Sequence, residues 1–133
     1  MTGAAPFVNQ IVFDCPDART LGAFWAELLG GRITDDSTED WVDVEGAGVP
    51  LGFQRVADYT APTWPDGVSQ QAHLDLTVSD PMTGHDTVIA LGARTLDPVD
   101  PPQLGENRSF RVYTDPAGHP FCLCLGGTEQ LSN

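Results

Sequence analysis

Residues 73–78 alternate between polar and aliphatic side chains, starting at His73 and placing Leu74, Leu76 and Val78 on one side. A period of two is typical of a strand with one buried face. Asp80-Pro81 then predicts a helix start, with an acidic cap and a proline in the first turn. His73 is therefore predicted to begin a strand that leads into a helix, and to point to the sheet face that this helix leaves uncovered.

The same pattern occurs earlier in the chain. Residues 10–17 alternate with Ile11, Phe13 and Cys15 on one side, and Asp17 starts a helix. Gln10 and Asp17 recur 63 positions later as His73 and Asp80. Two further segments recur in order, Leu29-Gly30-Gly31-Arg32 as Leu91-Gly92-Ala93-Arg94, and Pro50-Leu51-Gly52-Phe53 as Pro120-Phe121-Cys122-Leu123. The sequence therefore predicts an internal duplication of a strand–helix–strands unit.

Each copy is predicted to fold as βαβββ, which makes the fold class α+β with two tandem modules in one domain. The first module spans about residues 7–56, a Pro-containing linker 57–69, the second module about 70–125, and a tail 126–133. The first helix has an apolar stripe of Leu21, Phe24, Trp25 and Leu28. The second helix has a weaker stripe, in which Met82, Val88 and Ile89 are expected to be buried and His85 exposed.

The chain is acidic, with 19 Asp and Glu against 6 Lys and Arg and a net charge of −13 among 133 residues. Nucleic acid and anionic membranes are thereby disfavoured as partners, because both require a basic surface. The sequence has no signal-peptide pattern and no apolar run long enough for a membrane span. Three cysteines without framework spacing indicate free thiols in a reducing compartment, so we expect a cytoplasmic protein.

These features together resemble the vicinal-oxygen-chelate superfamily, which includes glyoxalase I, extradiol dioxygenases, fosfomycin-resistance enzymes and bleomycin-resistance proteins. The chain looks most like the small glyoxalase-like domain proteins. The resemblance rests on residues 14–17 before a helix ending Leu28-Leu29-Gly30, on 53–56, on 73–78 and on 115–123. It implies that each half-sheet curls into a cup that holds a small-molecule ligand, and that the protein is a homodimer.

The resemblance also implies four inward positions for a divalent metal, which are Gln10, Gly52, His73 and Cys122 in this sequence. Gly52 has no side chain, and Cys122 replaces the usual glutamate. These four positions therefore form an incomplete ligand set. A divalent metal stays possible, but no cofactor is assigned. A soft zinc site from His73, Cys122 and Cys124 is the chemical alternative.

Three functions stay open, and the sequence does not decide whether a reaction is catalysed. The first is a metal-poor lyase or isomerase that binds a small organic ligand between its modules. In it His73 transfers a proton, Gln10 orients the ligand, and Cys122 forms part of the wall. The second is a bleomycin-resistance-like protein that binds a cationic aromatic drug without chemistry, stacked on Trp41 or Trp64. The third is a divalent-metal-dependent lyase or dioxygenase.

Asp14 and Asp75 are related by the same internal duplication. Each is predicted to lie on the concave side of the first strand of its module. Either one is a candidate general base or cation partner. The interpretation favoured by the sequence is that both are solvated at the rim of the cup.

Overall fold

The computed structural model of the chain describes residues 5–126, which fold into two helices and eight strands. The elements of the first half are β1 (Ile11–Cys15), α1 (Ala18–Leu29), β2 (Arg32–Ile33), β3 (Trp41–Glu45) and β4 (Leu51–Arg55). The elements of the second half are β5 (Leu74–Val78), α2 (Pro81–Leu91), β6 (Arg94–Asp97), β7 (Phe110–Thr114) and β8 (Pro120–Leu125). The tandem βαβββ arrangement predicted from the sequence is confirmed.

The chain divides into two compact units, Met1–Tyr59 and Thr60–Asn133. Each unit has one four-stranded mixed sheet, with strand order β1-β4-β3-β2 in the first and β5-β8-β7-β6 in the second. The first strand of each unit runs parallel to the last, and the other pairs are antiparallel. Most of the predicted linker, from residue 60 onward, belongs to the second unit. The predicted tail lies outside the described residues except for Gly126.

Both helices begin and end at the predicted capping residues. The Asp17 side chain accepts a hydrogen bond from the Thr20 amide, and Asp80 accepts one from the Met82 amide. Each helix ends at a glycine in the left-handed region, Gly30 with φ 73° and Gly92 with φ 117°. Local hydrogen bonds therefore mark both ends of each helix.

The first unit has the larger core beneath its helix. Six residues of α1 are buried, and Gly22 of this helix packs directly against Val42 and Phe53 of the sheet.

Among the described residues, neither helix has the length and hydrophobicity that a membrane-spanning helix requires.

The second helix differs from its prediction at three positions. Val88 is buried as expected, but Met82 and Ile89 are 41% and 40% exposed, so the prediction that they are buried is wrong. His85 is only half-buried rather than exposed, because its Nδ1 lies 2.8 Å from the hydroxyl of the buried Tyr113. The apolar stripe of this helix is too weak for the sequence pattern to define its buried face.

Candidate functional site

The second unit contains a cavity of about 450 Å³ on one face of its sheet. Gly84 of α2 lies close to Val78 and Leu123, so these side chains face the helix. The residues that alternate with them point to the opposite face. The cavity lies there, with apolar walls formed by Trp64, Phe110, Val112 and Pro120.

His73, Asp75 and Cys122 form the polar corner of this cavity. Asp75 and Cys122 are paired across the parallel strands β5 and β8, and His73 lies two residues before Asp75 on the same face. His73 Nε2 is 3.1 Å from Asp75 Oδ1. The imidazole nitrogen, the carboxylate oxygen and the Cys122 sulfur all lie within 4.8 Å of one another.

The Cys122 thiol is buried beside the Asp75 carboxylate. Burial, together with the hydrogen bond to Asp75, raises the pKa of Cys122 from 9.0 to about 12. Burial likewise raises the pKa of Cys124, which lines the same cavity. Because the thiolate is the reactive form, neither cysteine is an activated nucleophile in this environment.

Gln70 places an unsatisfied acceptor in the cavity wall. Its Oε1 atom is buried, and no donor among the described residues 5–126 reaches it. Leaving such a group unpaired costs about 1–3 kcal/mol. A bound molecule with an O–H or N–H group facing Gln70 would recover that cost.

The corresponding corner of the first unit has a different hydrogen-bond network. Gln10 Nε2 and Trp41 Nε1 both donate to Asp43 Oδ1, at 3.0 and 2.7 Å. The Gln10 amide lies over Gly52, where a Cβ atom would come within 2.9 Å of Gln10 Nε2. Gly52 is therefore the residue that gives Gln10 room to reach Asp43.

The structure brings the sequence-predicted site residues together in two groups. Gln10 and Trp41 meet at Asp43 in the first unit, while His73, Trp64 and Cys122 line the cavity of the second unit. Gln10 and His73 belong to different units, and the predicted encounter of their side chains stays a prediction.

The four metal positions implied by the resemblance do not form an oxygen-rich ligand set. Gly52 contributes no donor, and the side chain of Gln10 occupies the space above it. The Gln10 amide nitrogen is already bonded to Asp43. Magnesium, calcium and manganese require several carboxylate or carbonyl oxygens, which these positions do not supply.

Asp75 also belongs to the cluster with His73 and Cys122, although the interpretation favoured by the sequence was a solvated residue at the rim of the cup. Its side chain is 60% exposed, yet its carboxylate touches both His73 and Cys122. It also takes the place in the cluster that the sequence assigned to Cys124. Its contact with Cys122 follows from the strand register, in which the two residues are direct partners on one face of the sheet.

Comparison with solved structures finds many chains of the same fold. The fosfomycin resistance protein FosX from Mesorhizobium loti is 14% identical and superposes with a TM-score of 0.62, covering 98% of this chain and 100% of its own. FosX from Listeria monocytogenes is 18% identical with a TM-score of 0.65, covering 97% and 98%. A glyoxalase/bleomycin resistance/dioxygenase family enzyme from Burkholderia phytofirmans is 13% identical with a TM-score of 0.63, covering 87% and 95%.

At these identities the solved structures establish the fold alone. A comparison with curated proteins finds no match. The family model described as glyoxalase-like domain matches residues 10–124, which include both βαβββ units and the corner at His73. The chain therefore belongs to the glyoxalase-like domain family, within the vicinal-oxygen-chelate superfamily.

Proposed function

We propose that the cavity of the second unit binds a small organic molecule with a flat apolar body, and that His73 exchanges a proton with it. The observation that carries this proposal is the pairing of His73 with Asp75 at 3.1 Å in the wall of a largely apolar cavity. The reaction class is proton transfer at a carbon next to a carbonyl group, as in a metal-free lyase or isomerase.

Asp75 gives the imidazole its orientation. We assign the proton of the neutral ring to Nε2, because Asp75 Oδ1 is the acceptor nearest to it. Nδ1 then carries the lone pair that takes the proton from the ligand carbon. The imidazolium that forms is stabilised by the adjacent carboxylate, and the proton is returned when the carbon–hydrogen bond is formed again.

The apolar walls determine the shape of the ligand. Trp64 and Phe110 offer aromatic faces, and a stacked ring gains about 0.5–1.5 kcal/mol beyond its buried area. The unpaired Gln70 oxygen favours a ligand with a hydroxyl or amino hydrogen. Two of the solved structures described above are named fosfomycin resistance proteins. Their name refers to a small organic compound, which is the general kind of ligand that we propose for this cavity.

The test uses 2-hydroxyacetophenone, a flat ketone with a hydroxyl group and exchangeable hydrogens on the carbon next to the carbonyl. The probe is incubated with the protein and a chelator in deuterated water, and loss of the hydrogen signal is followed by NMR. We expect the wild type to accelerate exchange, His73→Ala to abolish the acceleration, and Trp64→Ala to raise the half-saturating concentration several-fold. His85→Gln removes a histidine outside the cavity and should leave the rate unchanged.

The non-catalytic function gives a different result in the same experiment. Its supporting observation is the combination of aromatic walls with a carboxylate in the cavity, which suits a cationic aromatic drug. Binding of a bleomycin-type glycopeptide that raises the melting temperature, without exchange of the ketone probe, would favour this function. Failure of both probes to bind would contradict the assignment of the cavity as a ligand site.

The quaternary state and location are also proposed from family membership. We expect a cytoplasmic homodimer. Light scattering behind a size-exclusion column measures the quaternary state directly. A monomer across micromolar concentrations would contradict the dimer without affecting the cavity.

A further inference from the structure

We propose that Gln70 determines which ligands the cavity accepts: its side-chain oxygen takes a hydrogen bond from a hydroxyl or amino group of the bound molecule. Ligands without such a hydrogen, and anions above all, bind weakly. This role rests on the proposed function, because it requires that the cavity of the second unit binds a small organic molecule. It does not require that His73 exchanges a proton.

The Gln70 side chain has a buried oxygen that the protein does not pair. Among the side chains that the structure describes, its Oε1 is the one buried polar atom without a hydrogen-bond partner. Buried polar groups are almost always hydrogen-bonded, because the lost bond to water is otherwise not replaced. Since Gln70 lines the cavity, a bound molecule is in a position to supply the missing donor.

The turn before β5 holds Gln70 in the cavity wall. The Ala72 N–H donates to the Gln70 carbonyl at 2.7 Å and closes a three-residue turn. Gln71, at the centre of this turn, has a φ of 65°, which is uncommon for a residue other than glycine. Backbone strain of this kind is concentrated at functional sites, and here it lies between Gln70 and His73, which line the same cavity.

The charges around the cavity disfavour anions. The Asp75 carboxylate is part of the wall, and none of the described residues that line the cavity is a lysine or an arginine. The net charge of −13 adds a potential of the same sign. A carboxylate or phosphate facing Gln70 Oε1 would bring two acceptors together with no hydrogen between them. The preferred ligand is therefore a neutral or cationic hydrogen-bond donor.

An unpaired acceptor discriminates between ligands through the ones that fail to satisfy it. A molecule that fills the cavity without donating a hydrogen bond leaves the Gln70 oxygen buried and unpaired. Sites that hydrogen-bond a hydroxyl group therefore reject analogues lacking it more strongly than apolar pockets reject a change in size. Gln70 thus contributes to specificity more than to general affinity.

The test compares 2-hydroxyacetophenone with 2-methoxyacetophenone, which keeps the oxygen but has no hydrogen to donate. Isothermal titration in the presence of a chelator measures both dissociation constants. The wild type should bind the hydroxy probe at least about tenfold more tightly. Gln70→Leu, which removes the acceptor, should lower this ratio at least about fivefold, since any effect of the extra methyl group is present in both proteins. Gln103→Leu makes the same change at an exposed loop residue and should keep the wild-type ratio.

A charged probe tests the exclusion of anions. Phenylglyoxylate has the same ring and ketone, with a carboxylate in place of the hydroxymethyl group. It should bind the wild type at least about tenfold more weakly than 2-hydroxyacetophenone. Binding as tight as that of the hydroxy probe would overturn the assignment of the ligand class.

The stability of the ligand-free protein separates ligand selection from a structural role. Gln70→Leu replaces an unpaired buried oxygen with apolar atoms, so its melting temperature should equal or exceed that of the wild type. A lower melting temperature, or a variant that fails to fold, would mean that the Gln70 side chain supports the fold and would overturn the proposal. Equal affinity of the wild type for the hydroxy and methoxy probes would overturn it without any variant.

The selection by Gln70 and the proton transfer at His73 fail on different results. Tighter binding of the hydroxy probe that depends on Gln70, without deuterium exchange, overturns only the proton transfer. Exchange of the hydroxy probe together with equal affinity for the methoxy probe overturns only the role of Gln70. If neither probe binds, both are overturned, because the cavity is then not a site for such ligands.

Discussion

The two units have the same backbone and different chemistry at equivalent positions. In both, a row of three paired residues crosses the first, last and third strands on the sheet face away from the helix. In the first unit this row consists of Val12, Gly52 and Asp43. Its single carboxylate is on the third strand, where it holds Gln10 and Trp41 in hydrogen bonds.

In the second unit the equivalent row is Asp75, Cys122 and Val112. In this row the carboxylate lies on the first strand, where Asp75 contacts both His73 and Cys122. The third-strand position is apolar and forms part of the cavity wall. One duplicated frame thus carries a closed hydrogen-bond network in one copy and an accessible donor cluster in the other.

The helices of the two units differ in how many residues they bury. Six residues of α1 are buried against its unit, but only Val88 of α2 is buried. Trp25 of α1 is 2% exposed, whereas the equivalent residue of α2, 62 positions later, is the exposed Thr87. The first helix therefore buries several large apolar side chains against its unit, whereas the second helix buries one residue.

The largest effect that we predict comes from exchanging these two residues for alanine. Trp25→Ala should lower the free energy of unfolding by about 3–5 kcal/mol, because it leaves a large cavity in the core. Thr87→Ala, its matched control, should change it by less than about 0.5 kcal/mol. Denaturant unfolding of the two variants measures both, and a comparable loss in Thr87→Ala would show that the helices are equally anchored.

The sequence was sufficient for this fold because its signals are local and occur twice. Alternation, capping aspartates and terminal glycines define each βαβββ copy, and the duplication lets the clear first half support the weak second half. The errors fall where those signals are weakest. Met82 and Ile89 were predicted to be buried from a faint stripe, but α2 buries only Val88.

The second prediction concerns equivalent glycines in the two helices. A Cβ atom at Gly22 would lie 2.6 Å from Cγ1 of the fully buried Val42. At Gly84 the nearest atoms are 3.1 and 3.3 Å away, on Val78 and Leu123. Alanine gains about 1 kcal/mol over glycine in a helix interior, and overpacking a core costs about 1–3 kcal/mol.

We therefore expect opposite signs for the two substitutions. Gly22→Ala should lower the melting temperature, because Val42 has no space into which to move. Gly84→Ala should leave it unchanged or raise it, because its nearest neighbour, the half-buried Val78 side chain, needs to shift by only a few tenths of an ångström. Thermal unfolding followed by circular dichroism measures both variants, and equal shifts of the same sign would contradict the difference in packing.

Only part of the candidate site could be predicted from the sequence. His73, Cys122 and Trp64 were predicted as site residues, and all three line the cavity. The contact of Asp75 with Cys122 could not be predicted, because it depends on which residue Asp75 faces across the parallel pair, and parallel pairing joins segments far apart in the chain. Gln70 gave no signal at all, since an unsatisfied oxygen is a property of the folded environment.

The third prediction compares the ion pairs of the two units. Arg111 of the second unit is buried, and its Nε and Nη2 donate to the two oxygens of Glu106 at 2.7 Å. These hydrogen bonds lower the pKa of Glu106 from 4.5 to about 2. In the first unit, Arg55 Nε donates to Asp40 at 2.8 Å, but both side chains are exposed.

Because the folded-state pKa of Glu106 is depressed, its contribution to stability is complete above pH 4.5 and is lost as the pH falls toward about 2. Glu106→Gln should therefore be less stable than the wild type at neutral pH, and its melting temperature should decline less steeply between pH 4.5 and 2, so that the two curves converge. Asp40→Asn, the control for loss of a surface charge, should shift the neutral melting temperature very little. Parallel curves for the wild type and Glu106→Gln across this window would mean that the paired carboxylate does not hold the loop before β7 to the second unit. The buried and the exposed ion pair would then contribute equally little to the stability of their units.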